Sequence, residues 1–547
     1  MRRWLFLGWL LIIPAACSGW KGAVAQPAPL ATPAAQATVT PFQPQPPTPP
    51  RRPTPTPLAR RVALAPDVPQ TFARVPLPQG WQWSADPTQA DLIWTWASED
   101  QAAVAHWTLV VVAPFPTFVD GVRLEDVRAF WQGHDTAPWP HQPPLLMSTD
   151  TATILRARWG PPAAGRVRLL PSNALLETAW RNRPTWAIIP WQDVDPRWKI
   201  LRVDGREPWH NDYPLHLPLG VQGPAATQPD APKPPSNFNP NRLTRVALTG
   251  VTALVRATAW LMEIKGITYP AEDIGPLLAS VDILHINNEV PFDPDCPPPN
   301  PRQPDLRFCS APKYIGLLEA IGTDVVELAG DHMNDRGPDA VYYTLDMYRA
   351  RGWAYYGGGE NWEDGWRPAK FEHNGNRIAF IGCNVKGGGY ARAAADYPGA
   401  VACDWDLLTQ RVRSLRDEGY LPIVTYQHYE LYVFDPPESF KVAFRRAADA
   451  GAVIVSGSQA HHPHGMAFYH GALLMYGLGN LFFDQKGAVP YGDQALIAIH
   501  VFYENRHVST QLIPIYFVDW AKPRRMTPAE ARPLLERIFE ASEWPWP

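Results

Sequence analysis

At 547 residues the chain is too long for one typical hydrophobic core, so two globular domains with tails are expected. A net charge of -4 and a pI near 6.4 exclude the basic footprint by which a protein holds nucleic acid. The 24 tryptophans are read as core filling, with contact to an extracellular polymer as their alternative use.

The chain opens "MRRWLFLGWLLIIPAACSGWKGAVAQ". Arg2 and Arg3 form a basic start, and Trp4 to Ile13 is an apolar run too short for a mature membrane span. Two endings compete. Ala15-Ala16-Cys17 resembles a lipoprotein box, which would place a lipid on Cys17, although Pro14 stands where an aliphatic residue is usual. Ala23-Val24-Ala25 is a site for ordinary signal peptidase. Either predicts export, with residues 1–25 as the signal, leaving a membrane-anchored lipoprotein or a secreted chain. Residues 26–60 are rich in Pro, Ala, Thr and Gln, and predict an extended tether that cannot bury enough apolar surface to fold.

Residues 61–222 predict a first, smaller α/β domain. "DLIWTW" and "WTLVVVAPF" read as buried strands, and "LEDVRAFWQG" as a helix ending at Gly133. "STDTATILRARWG" reads as a capped helix, and "ALLETAWRNRPTWAIIPW" as helix, turn and strand. The stretch "LVVVAPFPTFVDGVRLEDVRAFWQG" resembles the strand-loop-helix of periplasmic phosphate-type solute-binding domains. That likeness implies a ligand-binding or docking module. Residues 223–243, "GPAATQPDAPKPPSNFNPNRL", predict a Pro-rich linker.

Residues 244–547 alternate apolar runs with helical segments. The runs are "RVALTGV", "VDILHINNEV", "DVVELAG", "RIAFIGCN", "LPIVTYQHY", "AVIVSG" and "LLMYGLGN", each ending in a polar cluster. Such strands are buried on both faces and collect their ends at one sheet edge, where α/β folds bind ligands. Those ends deliver Glu289, then Asp331 with His332, then His428, then His461, His462 and His464, with Asn480 and Asp484 later. Oxygen and imidazole donors suit manganese, zinc or iron(II), and the cysteines lie elsewhere. Cys296 and Cys309 bracket a Pro-rich loop and predict a disulfide worth roughly 3 kcal/mol by its loop length. Cys383 reads as a buried strand residue, and Cys403 is left as its partner or as a free thiol.

Six motifs stand in order: "GVTALVR", "NNE", "GDHMNDRG", "QHYELY", "HHPH" and "YGLGNLFFDQ". Over Thr244 to Trp520 they resemble the CapA, or poly-γ-glutamate capsule synthesis, family, whose domain has a calcineurin-like metallophosphatase fold. The resemblance implies a layered α/β domain with Glu289 as a metal-bridging carboxylate, Asp331 in place of an amide ligand and His332 as an acid. It implies His428 and His462 on one metal and His464 on the other, with Asn288, Glu430, Asn480 and Asp484 behind the ligands. His461 is an extra imidazole, expected to support the ligands or lie at the surface. Val251 stands where the family carries its first metal-binding Asp. A valine cannot ligate. One divalent ion is therefore expected rather than two, held by Glu289, Asp331, His428 and His462.

Three readings follow. The chain is a surface metal-dependent hydrolase or transferase, a non-catalytic component of capsule assembly, or a binding module on a degenerate scaffold. The expected partners are an anionic extracellular polymer or other capsule-assembly proteins, and a membrane through the N-terminal anchor; nucleic acid is not among them.

Overall fold

The computed structural model describes residues 59–545 apart from Glu99, Gly388, Ser458 and Gln459. The expected signal segment, Cys17 and nearly all of the expected tether lie outside the described residues.

The first lobe is a twisted nine-stranded sheet with its long strand, Ala105–Pro114, near the middle. That strand is apolar almost throughout and is flanked by His216–Gln222 and Trp186–Pro190, as burial on both faces requires. Helix Leu124–Trp131 turns Val127, Phe130 and Trp131 inward. Helix Thr149–Trp159 starts on Ser148, whose hydroxyl accepts from the Thr151 amide, and stops at Gly160. The helix-turn-strand expected after them is Ser172–Arg181 followed by Trp186–Pro190. Trp94, Trp131, Trp180, Trp186, Trp191 and Trp198 are all fully buried, so this lobe uses tryptophan as core.

Residues 223–243 run as a strap along the first lobe. The Pro232 carbonyl accepts from the Trp94 indole at 2.9 Å, and Asn237 exchanges two hydrogen bonds with the Thr108 backbone. Phe238 then packs between Trp191 and Tyr503, which ties the strap to the second lobe.

The second lobe is layered helix, sheet, sheet, helix. One sheet runs Ala354–Tyr356, Val325–Glu327, Ile283–Asn288, Leu243–Leu248, Gln494–Tyr503 and onward, the first four being parallel neighbours. The other places Asn376–Asn384, Leu421–Gln427, Ile454–Gly457 and Ala472–Met475 in parallel. Between them lie Val246, Ile283, Val325, Phe380, Ile423, Ile454 and Leu473. Helices Arg256–Lys265, Ile315–Ala320 and Pro338–Arg349 cover the outer face of the first sheet, and Trp405–Asp417 and Glu438–Asp449 that of the second. This is the layered α/β arrangement expected of a metallophosphatase-like domain. Among the described residues no helix is long and apolar enough to cross a membrane.

An aromatic seam joins the lobes. Phe468 lies 5.3 Å from Phe115 and 6.0 Å from Trp180 between ring centroids, and Trp544 closes the group at 5.8 Å from Trp180. Among the described residues two disulfides are present, Cys296–Cys309 with Cα atoms 5.8 Å apart and Cys383–Cys403 at 5.0 Å.

Candidate metal centre

Parallel strands bring their C-terminal ends to one edge, and the site is assembled there. Glu289 directly follows Ile283–Asn288, while Gly330, Asp331 and His332 follow Val325–Glu327. Lys386 follows Asn376–Asn384, and Gln427 ends Leu421–Gln427. The close approach of the first two segments needs Gly330. A Cβ there would lie 2.9 Å from the Glu289 carbonyl oxygen and 3.1 Å from its Cα.

Glu289, Asp331 and His332 converge, each offering a ligand atom within 4.8 Å of the others. Glu289 is buried, and the other two are half-buried. His332 Nδ1 meets Asp335 Oδ2 at 2.8 Å, which makes Nε2 the ring nitrogen available to the cluster. Asp335 is itself fixed, accepting from the Phe308 amide at 2.6 Å and from the Tyr390 hydroxyl. Burial works against charging His332, yet the Asp335 hydrogen bond and the Glu289, Asp335 and Asp331 charges raise it to about 9.

Both oxygens of Asp331 are engaged. Gln427 donates to Oδ1 at 3.0 Å, and the Lys386 ammonium is paired with Oδ2. Burial opposes its ionisation, but that ammonium holds the carboxyl below its ordinary value. Lys386 also stands 3.8 Å from Glu430 Oε1, and Glu430 accepts from the Tyr432 hydroxyl at 2.8 Å.

His428, His462 and His464 stand outside this three-residue cluster, so the expected set of Glu289 and Asp331 with His428 and His462 is not the one that converges. Each of the three has other partners. The His428 ring lies 3.8 Å from Phe440, and its Nδ1 accepts the Tyr429 amide, which puts the proton on Nε2 where a metal would need a lone pair. His462 is held against Phe434 and Tyr491. His464 is paired through Nε2 to the Leu431 carbonyl at 2.8 Å. Burial, with the neighbouring His464 adding to it, pushes His428 and His462 down to about 4. Burial alone does the same to His464. All three are neutral imidazoles at pH 7.

The residues expected behind the ligands are distributed differently too. Asn288 donates to the Tyr348 hydroxyl and the Val290 carbonyl, and Asn480 pairs with His461 Nδ1 at 2.8 Å. Asp484 is locked to Arg256 and to the Ala257 amide at the start of a helix. Glu430 stands next to the cluster through Lys386, 3.8 Å from its nitrogen. His461 is buried rather than at the surface.

The donor chemistry fits one divalent ion on carboxylate oxygens from Glu289 and Asp331, with the His332 ring, oriented by Asp335, beside them as a proton donor. It does not extend to a second ion at Val251. That side chain is fully buried in a small apolar cluster with Ala253, Val255, Val290, Phe308 and Phe483.

Sequence reasoning missed Asp335, Lys386, Gln427 and Tyr390 as parts of the site. Asp335 and Gln427 lie inside motifs already quoted. Lys386 and Tyr390 follow "RIAFIGCN", a strand end that the same rule of polar clusters after apolar runs would have searched.

Residues 245–485 match the family described as bacterial capsule synthesis protein PGA_cap. The capsule biosynthesis protein CapA of Bacillus anthracis is 24% identical over 303 residues, which cover 54% of this chain and 72% of that protein. The PGA biosynthesis protein CapA of Bacillus subtilis (strain 168) is 26% identical over 246 residues, covering 44% of this chain and 63% of that one. Among solved structures, a 5'-nucleotidase precursor from Thermus thermophilus superposes with a TM-score of 0.32 at 12% identity, over 54% of this chain and 59% of that chain.

Proposed function

Residues 245–485 are a domain of the bacterial capsule synthesis family, and from that premise we propose an exported, cell-surface protein of capsule or poly-γ-glutamate biosynthesis holding one divalent metal ion. The observation that carries the proposal is the convergence of Glu289, Asp331 and His332 at the strand ends of the matched segment. Glu289 and Asp331 would hold the ion, which is manganese, zinc or iron by donor type. Such an ion supplies Lewis-acid polarisation of a phosphoryl, amide or ester oxygen. His332 is oriented through Nδ1 by Asp335, so Nε2–H is placed to give a proton to a leaving group. Tyr390 and the Phe308 amide hold Asp335 in turn.

Export is supported by the basic-apolar start and by two disulfides, bonds that persist in oxidising compartments. Lipid on Cys17 would anchor the chain to the membrane; cleavage after Ala25 would release it. The partner is an anionic extracellular polymer or another capsule-assembly protein, and the first lobe serves as a ligand-binding or docking module.

A second reading, a non-catalytic holder of anionic polymer, is favoured by the apolar filling around Val251. One experiment separates the two. Purified chain is loaded with Mn(II), its metal content is measured, and it is incubated with poly-γ-glutamate and with model phosphoesters. About one ion per chain with turnover lost in His332→Ala supports the hydrolase or transferase reading. Polymer retention without turnover supports the holder. Failure to bind both metal and polymer rejects both.

A further inference from the structure

We propose that Lys386 is a built-in counter-cation of the Glu289–Asp331 cluster, which a divalent ion must displace, so that Lys386 sets the metal affinity of the site. The inference rests on the metal-binding reading above and adds to it a residue that competes for the same oxygen.

Asp331 has one oxygen on Gln427 and the other on Lys386. The Gln427 contact is neutral and compatible with a nearby cation. An ammonium and a divalent ion on one carboxylate oxygen repel each other, and partial burial keeps solvent from screening them. Lys386 is therefore the group that must leave. It has somewhere to go, because Glu430 Oε1 is already 3.8 Å from its nitrogen. Only the side chain has to move. The Val385 amide donates to the Gln427 carbonyl at 2.8 Å and fixes the backbone just before it. The charge balance also calls for a cation. Glu289 and Asp331 converge, Asp335 is bonded to His332, and Glu430 stands 3.8 Å from Lys386, so Lys386 and His332 sit among four carboxylates. Without metal, Lys386 shields Asp331 from Glu289.

A plain loop-fastening ion pair would look similar in a static structure. It would affect stability alone, whereas a competing cation affects stability and metal affinity in opposite directions. The test is calorimetric titration of the full chain with Mn(II), with thermal unfolding of each variant with and without metal. Lys386→Met should bind Mn(II) about tenfold to a hundredfold more tightly than the parent, the range expected for removing one partly buried competing charge. Its Tm should fall without metal and recover when metal is added. Lys386→Arg keeps the charge and should bind as the parent does. Adding Asp331→Asn to Lys386→Met should remove the gain. Equal or weaker binding by folded Lys386→Met would overturn the competition while leaving the metal site standing. No binding by any variant would overturn both. If Lys386→Met does not fold, Lys386→Gln carries the same comparison.

Discussion

Asp331 is the residue on which the site turns, because one of its oxygens accepts from the Gln427 amide and the other is paired with the Lys386 ammonium. Glu289, Asp331 and His332 were legible in the sequence, since each directly follows an apolar run and strand ends are where α/β sheets bind ligands. The exclusion of His428, His462 and His464 from their cluster was not legible. Imidazole direction depends on Phe434, Phe440 and Tyr491, which arrive from other segments. The two groups should therefore separate in a metal titration. Glu289→Gln should lower Mn(II) affinity by about tenfold or more, as loss of a ligating charge does. His462→Asn should leave affinity within about twofold, a change of no more than about 0.4 kcal/mol. Equal losses from both would show that the imidazoles rotate into the site.

Strands and their burial were readable from unbroken apolar runs, while pairing order was not, because periodicity does not say which run lies beside which. The hairpin Gln494–Tyr503 and Arg506–Phe517 shows what an element adds to that reading. It buries His500 and His507 with ring centroids 5.4 Å apart, each bonded to the Thr510 hydroxyl. Burial pushes His507 down to about 4 and His500 well below its ordinary value. Folded values below the unfolded value of 6.5 mean that this stability is complete above pH 6.5. It drains away as the pH falls toward 4, because only the unfolded chain takes up the protons. Both histidines act in the same direction across that window. Urea midpoints should fall steadily between pH 6.5 and 4, and less steeply in His507→Asn. A flat profile would mean that other groups compensate.

At the scale of the molecule, the two lobes share a seam of rings, an ordered strap and an apolar cluster in which Val110, Val112 and Trp191 pack with Val501, Tyr503 and Val508. Composition marked 223–243 as proline-rich but could not show Asn237 and Phe238 fastening it. Heating should give a single transition for both lobes. Phe468→Ala should lower stability by about 2–3 kcal/mol, less than a fully buried ring because Phe468 is partly exposed. Two resolved transitions in the parent would mean that the seam carries little. Mild proteolysis should cut between Gln26 and Arg60 first and leave a stable fragment beginning near the strand Arg60–Leu64. Survival of the intact chain would argue against a tether.

The bond Cys383–Cys403 closes the base of the loop that carries Lys386 and Tyr390. Both side chains that grip the acidic cluster from this side hang on one noose, and its knot is an oxidation event. Reduction would cut that knot but leave the hydrogen bonds from the Asn384, Val385 and Cys403 amides that also hold the base of the loop. The bond is therefore a second fastening on the loop rather than the first, and a reductant should loosen the grip of Lys386 and Tyr390 without abolishing it.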